Sequence, residues 1–149
     1  MRSSPVSTPH ILLVDDSRDG LLVRKSLLEE QGYRVQLASN GEEGLKHYQS
    51  NNYDVVVTDY RMPHMNGVEL IGRIRTYNAS ARIILLSGFV EPLGLTEANT
   101  GADAVIGKTS NEPVVLLRWV KRLLNRAASR KPPASQKGSR RQTAGVTAR

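Results

Sequence analysis

Two unbroken apolar runs, Ile11-Leu12-Leu13-Val14 and Val55-Val56-Val57-Thr58, stop on acids: the first on the pair Asp15-Asp16, the second on Asp59. Apolar runs of four to eight residues bounded by turn signals suit strands buried on both faces of a parallel sheet. Two strand ends then present three carboxylates on one edge. In an open parallel α/β sheet, ligands sit in the crevice beyond the carboxyl ends of the strands, so three acids there point to a bound cation.

The rest of the chain repeats the same unit. Ser17 is placed to cap a helix over Arg18–Gln31, with Leu21, Leu22, Leu27 and Leu28 turned inward and Gly32 closing it. A strand over Val35–Ala38 and a short helix over Glu42–Gln49, opened by Asn40-Gly41, come next. The third strand, Asp54–Thr58, delivers Asp59, and a turn at 63–67 leads into a helix over Val68–Tyr77. A fourth strand, Arg82–Leu86, delivers Ser87; a weaker helical segment over Glu91–Asn99 precedes Gly101. A short fifth strand, Ala104–Ile106, delivers Lys108. The last helix opens at Asn111-Glu112-Pro113, with Pro in its favoured first-turn place, and sets Leu116, Leu117, Val120, Leu123 and Leu124 on one face. Five βα units with right-handed crossovers predict an α/β fold, a doubly wound five-stranded parallel sheet with helices on both faces.

Charge divides the chain at residue 126. The 149 residues carry a formal +7, but six of the 21 basic residues and none of the 14 acids lie in Ala127–Arg149, which leaves +1 for residues 1–126. That tail, with Pro132-Pro133, two glycines and almost nothing large and apolar, cannot bury enough surface to offset the entropy of ordering and is expected to be disordered. It reads either as an electrostatic tether to a nucleic acid, a membrane surface or an acidic protein, or as a solvated extension without a partner. The chain has no cysteine, which excludes a disulfide framework, a thiolate metal site and a cysteine nucleophile. No run is long enough to cross a bilayer and the first ten residues show no targeting pattern, so a cytoplasmic protein without membrane insertion is expected.

Five elements, in order and each at a strand's end, carry a resemblance: Asp15-Asp16, the segment Asp59-Tyr60-Arg61-Met62-Pro63-His64-Met65-Asn66-Gly67, Leu86-Ser87-Gly88, Gly101-Ala102-Asp103, and Lys108. Over residues 9–126 the chain resembles the receiver domain of bacterial two-component response regulators. That resemblance implies the flavodoxin-like, CheY-like (βα)5 fold. It implies that Asp59 accepts a phosphoryl group from a sensor histidine kinase or a histidine phosphotransfer protein. It also implies Mg²⁺ held directly by Asp16, Asp59 and the backbone carbonyl of Arg61, with Asp15 acting largely through bound water. Ser87 and Lys108 would read the phosphoryl group, one with a hydroxyl and the other with a compact positive charge.

The chain departs from the pattern at two places. Val105 stands where the family usually has Tyr or Phe, and Thr109 where it commonly has Pro with a cis bond, which would cost a non-proline residue about 3 kcal/mol. Both put the usual relay to the last helices in question. Phe89 and Arg61 flank the expected path of attacking water. His10, His47 and His64 share no spacing and read as surface or structural; Trp119, among Arg118, Lys121 and Arg122, suits packing and interface equally. The residues after Arg126 are too few for an output module, so the expected function is a single-domain response regulator that signals by binding a protein through its last strand and last helices. The alternatives are a receiver-like module that works unphosphorylated through its basic tail, and a tail that binds nucleic acid.

Overall fold

The computed structural model describes residues 8–88 and 90–129. Strands β1 (His10–Val14), β2 (Arg34–Ala38), β3 (Val55–Asp59), β4 (Ile83–Ser87) and β5 (Ala104–Gly107) form one parallel sheet in the order β2-β1-β3-β4-β5. Six helices accompany them among the described residues: α1 (Arg18–Glu29), α2 (Gly41–Ser50), α3 (Gly67–Tyr77), the one-turn α4 (Val90–Leu93) and α5 (Glu97–Thr100), and α6 (Glu112–Ser129). The expected doubly wound α/β fold is present.

Side chains alternate across each strand, and two cores result. Leu12, Val14, Val56, Ile83 and Leu85 cluster with Tyr48 of α2 and with Leu70, Ile71 and Ile74 of α3. Ile11, Leu13, Val57, Ile84 and Ile106 cluster with Leu21 and Leu28 of α1 and with Leu116, Val120 and Leu123 of α6. β3 and β4 are buried along their whole length, which is why they read as continuous apolar runs.

Local chemistry sets the helix starts. Ser17 accepts from the Gly20 amide at 3.2 Å, and Asn40 accepts from the Glu43 amide at 2.7 Å. At α3 the cap is reciprocal: Asn66 Oδ1 accepts from the Glu69 amide and Glu69 Oε1 from the Asn66 amide, both at 2.9 Å. Asn66→Ala is expected to cost about 1 kcal/mol, measured as a lowered denaturation midpoint at unchanged slope.

Four expectations need correction. Leu22 is not turned inward but is 45% exposed, because only Leu21 and Leu28 lie on the narrow stripe of α1 that meets the sheet. α1 ends at Glu29, two residues early, and unwinds through Gln31 to Gly32, whose φ of +92° closes the turn. The segment over Glu91–Asn99 is two one-turn helices. Gly94 takes a left-handed φ of +63°, and Thr96 then caps α5 by accepting from the Asn99 amide, so no continuous helix can pass. At the other end α6 runs to Ser129, three residues past the expected boundary. Phe89 and the tail from Arg130 to Arg149 lie outside the described residues.

Candidate functional site

The first crossover places β2 on one side of β1 and the rest of the chain places β3, β4 and β5 on the other, so the strand order reverses between β1 and β3. Ligands bind at the carboxyl ends of the strands at such a reversal. Asp15 and Asp16 follow β1 there, and Asp59 ends β3. A cleft of about 260 Å³ over this point is lined by Asp15, Asp16, Asp59, Arg61, Ser87 and Lys108, together with Ser17 and Gly88. Every side chain that the sequence nominated for the site is thus brought together, while Val105 stands apart on β5.

One carboxylate oxygen from each of Asp15, Asp16 and Asp59 can lie within 4.8 Å of the other two. The three acids differ in what already holds them. Asp15 is 3% exposed; its Oδ1 accepts from the Ser17 amide at 2.9 Å and its Oδ2 from Arg24 Nη1 at 3.0 Å. Asp16 is exposed and makes no hydrogen bond or ion pair among the described residues. Asp59 is 5% exposed and lies 2.5 Å through Oδ1 from Lys108 Nζ. Burial pushes the Asp59 carboxyl above the usual carboxylate range; the Lys108 hydrogen bond opposes this, and the neighbouring charge of Asp15 adds to it.

Backbone bonds hold these groups at fixed heights. The Lys108 amide donates to the Ser87 carbonyl at 3.0 Å, the Tyr60 amide to the Leu86 carbonyl at 2.8 Å, and the Gly67 amide to the Tyr60 carbonyl at 2.8 Å. Ser87 itself is 1% exposed. Two residues that the sequence reading missed complete the surroundings: Arg24 of α1 and Glu112 of α6. Arg24 donates through Nη2 and Nε to the two oxygens of Glu112, at 2.8 and 3.2 Å, while holding Asp15 with its remaining nitrogen. Burial alone would lower its pKa, but Glu112 and Asp15 outweigh that and raise it.

An all-oxygen donor set of carboxylates, without His or Cys, suits a hard divalent cation such as Mg²⁺ better than zinc. Asp16 has both oxygens available, whereas the oxygens of Asp15 already accept protein hydrogens; the donor set therefore fits a cation taken directly by Asp16 and through water by Asp15.

The two departures also have places. Val105 is half-buried against the core that contains α2 and α3, and its amide donates to Glu97 Oε2 at 3.2 Å. The bond between Lys108 and Thr109 is trans; the Thr109 amide donates to the Gly107 carbonyl, and its hydroxyl accepts from the Asn111 amide at 3.3 Å. The histidines stay outside the site: His10 packs against the Tyr53 ring at a 43° tilt, His47 lies 4.0 Å from Glu43, and His64 is exposed. Trp119 packs half-buried beside the α1 and α6 core, with the Arg122 guanidinium 4.6 Å above its ring.

A flavodoxin-like strand order with an acidic cleft at its reversal, a lysine on the central aspartate and a buried serine beside it is the arrangement of a receiver-class domain. The family model "Response regulator receiver domain" matches residues 11–119, and the chain belongs to that family. Among solved structures it is similar to a CheY-like receiver domain from Methanospirillum hungatei, with 31% identity over 83% of this chain and 98% of that one and a TM-score of 0.76. It is also similar to the response regulator TrrA of Thermotoga maritima, solved with Mg²⁺-BeF, with 37% identity over 78% of this chain and all of that one and a TM-score of 0.71. A second structure holds TrrA in complex with the histidine kinase ThkA. A gliding motility regulatory protein of Myxococcus xanthus is 35% identical over 76% of this chain. The chain spans only 11 to 18% of the length of the first curated relatives it matches. No helix among the described residues is long and apolar enough to cross a membrane.

Proposed function

We propose that this receiver takes a phosphoryl group onto Asp59 from the phosphohistidine of a sensor kinase or phosphotransfer protein, with Mg²⁺, and signals by protein binding through β5 and the last helices. The observation that carries the reading is the ion pair of Lys108 with Asp59, set beside Asp15 and Asp16 in one cleft. TrrA, solved both with Mg²⁺-BeF and with a histidine kinase, supports it by likeness.

In the transfer, an oxygen of Asp59 attacks phosphorus as the bond from phosphorus to the donor's histidine nitrogen breaks. Asp16, Asp59 and the Arg61 carbonyl would hold the cation directly and Asp15 through water; when bound, it supplies charge neutralisation for the phosphoryl oxygens. The charges favour such an ion: the cleft lining carries three carboxylates, Asp15, Asp16 and Asp59, against the two cations Arg61 and Lys108. Lys108 passes from the carboxylate to the new phosphoryl oxygens, and the Ser87 hydroxyl donates to one of them. The protein's contribution is thus positioning and electrostatics, without general acid–base steps.

Intact-protein mass after incubation with a small-molecule phosphodonor and Mg²⁺ tests this. The expected result is a gain of one phosphoryl group in the wild type and none in Asp59→Ala or in chelator. No gain in the folded wild type sinks the reading. A second reading, a module that works unphosphorylated through its basic tail, draws on Val105 in place of an aromatic, on Thr109 after Lys108, and on the split of the described segment between β4 and β5 into the one-turn helices α4 and α5. It requires that deleting 130–149 loses the partner while Asp59→Ala keeps it.

A further inference from the structure

Arg24 serves neither packing nor a surface ion pair. Its side chain is 12% exposed, and its fork is shared between Asp15 at 3.0 Å and Glu112 at 2.8 Å, side chains themselves 5% and 9% exposed. Space for it is built in. A Cβ on Gly20 would lie 2.8 Å from Asp15 Oδ2 and 2.9 Å from Arg24 Nη1, so only glycine leaves the pair undisturbed at that step of α1.

We propose that Arg24 is a positioning residue that sets the cation affinity of the acid cluster and ties it to the first turn of α6 through Glu112. The inference rests on the cation-site reading of Asp15, Asp16 and Asp59. Arg24 engages Asp15 Oδ2 and brings a positive charge against the acid cluster, so it opposes a cation there. Glu112 takes two of the three contacting nitrogens and neutralises part of that charge. Strengthening the Arg24–Glu112 arm therefore loosens the hold on Asp15 and favours the cation, while weakening it throws the guanidinium onto Asp15. By linkage, a cation drawing on Asp15 leaves Arg24 more fully to α6. The arrangement makes Glu112, which is outside the cleft lining, part of the cation site's energetics.

Calorimetric titration of the full chain with Mg²⁺ tests the coupling without any phosphoryl transfer. Arg24→Gln is expected to bind Mg²⁺ roughly tenfold more tightly than the wild type. Glu112→Gln is expected to bind several-fold more weakly, about 1 kcal/mol of coupling through Arg24, and to lose most of that effect in the Arg24→Gln background. Gly20→Ala, which wedges the pair apart at constant charge and keeps both partners, is expected to tighten binding in the same direction. It answers the question even where Arg24→Gln, by leaving two buried acids unpaired, fails to fold. Wild-type affinity in Gly20→Ala, or in a folded Arg24→Gln, overturns the proposal, as does a Glu112→Gln effect of equal size with and without Arg24. Asp16→Asn separates the two readings: if it binds Mg²⁺ as the wild type does, or the wild type binds none, the cation site itself is wrong and the coupling falls with it.

Discussion

Asp59→Asn is expected to abolish phosphoryl uptake completely and yet, in chelator at neutral pH, to leave a more stable domain than the wild type. Uptake is lost because an amide nitrogen and oxygen offer no anionic nucleophile to phosphorus. The gain in stability follows from where the charge sits. Asp59 is buried, its pKa is raised first by that burial, and Asp15 adds like charge, while the Lys108 contact offsets only part of this. A carboxyl whose folded pKa lies above its unfolded value binds its proton more tightly in the folded chain. Its contribution therefore favours folding below the unfolded pKa and is lost as pH rises through the folded one. At pH 7 ionised Asp59 opposes folding, and the neutral amide removes that opposition, a gain of about 1–2 kcal/mol. In acid, below the ordinary carboxylate range, where Asp59 is protonated in the folded and the unfolded chain alike, the two proteins converge. Thermal unfolding of both at pH 7 and in acid, in chelator, checks this; a variant no more stable than the wild type at pH 7, or an advantage that persists undiminished in acid, counts against it.

The strand ends were legible because the information is local. A parallel strand covered on both faces must be apolar throughout, and the first polar residue after it marks the edge; Asp15, Asp59, Ser87 and Lys108 all sit at or just past such an edge. What was not legible is what depends on partners distant in sequence. Arg24 and Glu112 are 88 residues apart, each an ordinary charged residue on its own helix, and neither carries a periodic signal for the other. Leu22 shows the same limit in reverse: an apolar residue one step from the buried stripe looks inward until the width of the contact with the sheet is known. The split between α4 and α5 turns on the left-handed Gly94 and the Thr96 cap; Gly94 was visible as a glycine but carries no mark of its φ. The Asn66 and Glu69 capping box, by contrast, was readable from a spacing of three and was overlooked.

Two glycines of α3 are expected to respond to alanine in opposite directions, and the contrast measures how tightly the site is tied to the fold. At Gly67 a Cβ would press into the backbone carbonyl of Asp59 and come within 2.7 Å of Leu85 Cδ1. Leu85 is fully buried and the carbonyl belongs to Asp59's own peptide unit, so neither can turn aside as a surface side chain would. The helix start has to move, and the amide of Gly67, which donates to the Tyr60 carbonyl at 2.8 Å, moves with it. Overpacking of this kind costs typically 1–3 kcal/mol, and a clash with backbone belongs at the top of that range, so Gly67→Ala is expected to lose about 3 kcal/mol and to slow phosphoryl uptake by displacing Asp59. At Gly72 a Cβ meets nothing, the residue lies in the helix interior, and Gly72→Ala is expected to gain about 0.5–1 kcal/mol from helix propensity with uptake unchanged. Denaturant midpoints of the two variants, with rates of mass gain from a phosphodonor, decide it. A Gly67→Ala loss below about 1 kcal/mol would mean that α3 is not clamped against Asp59. The position of Asp59 would then have to come from Lys108 and the β3–β4 pairing alone, and α3 could be altered without moving Asp59.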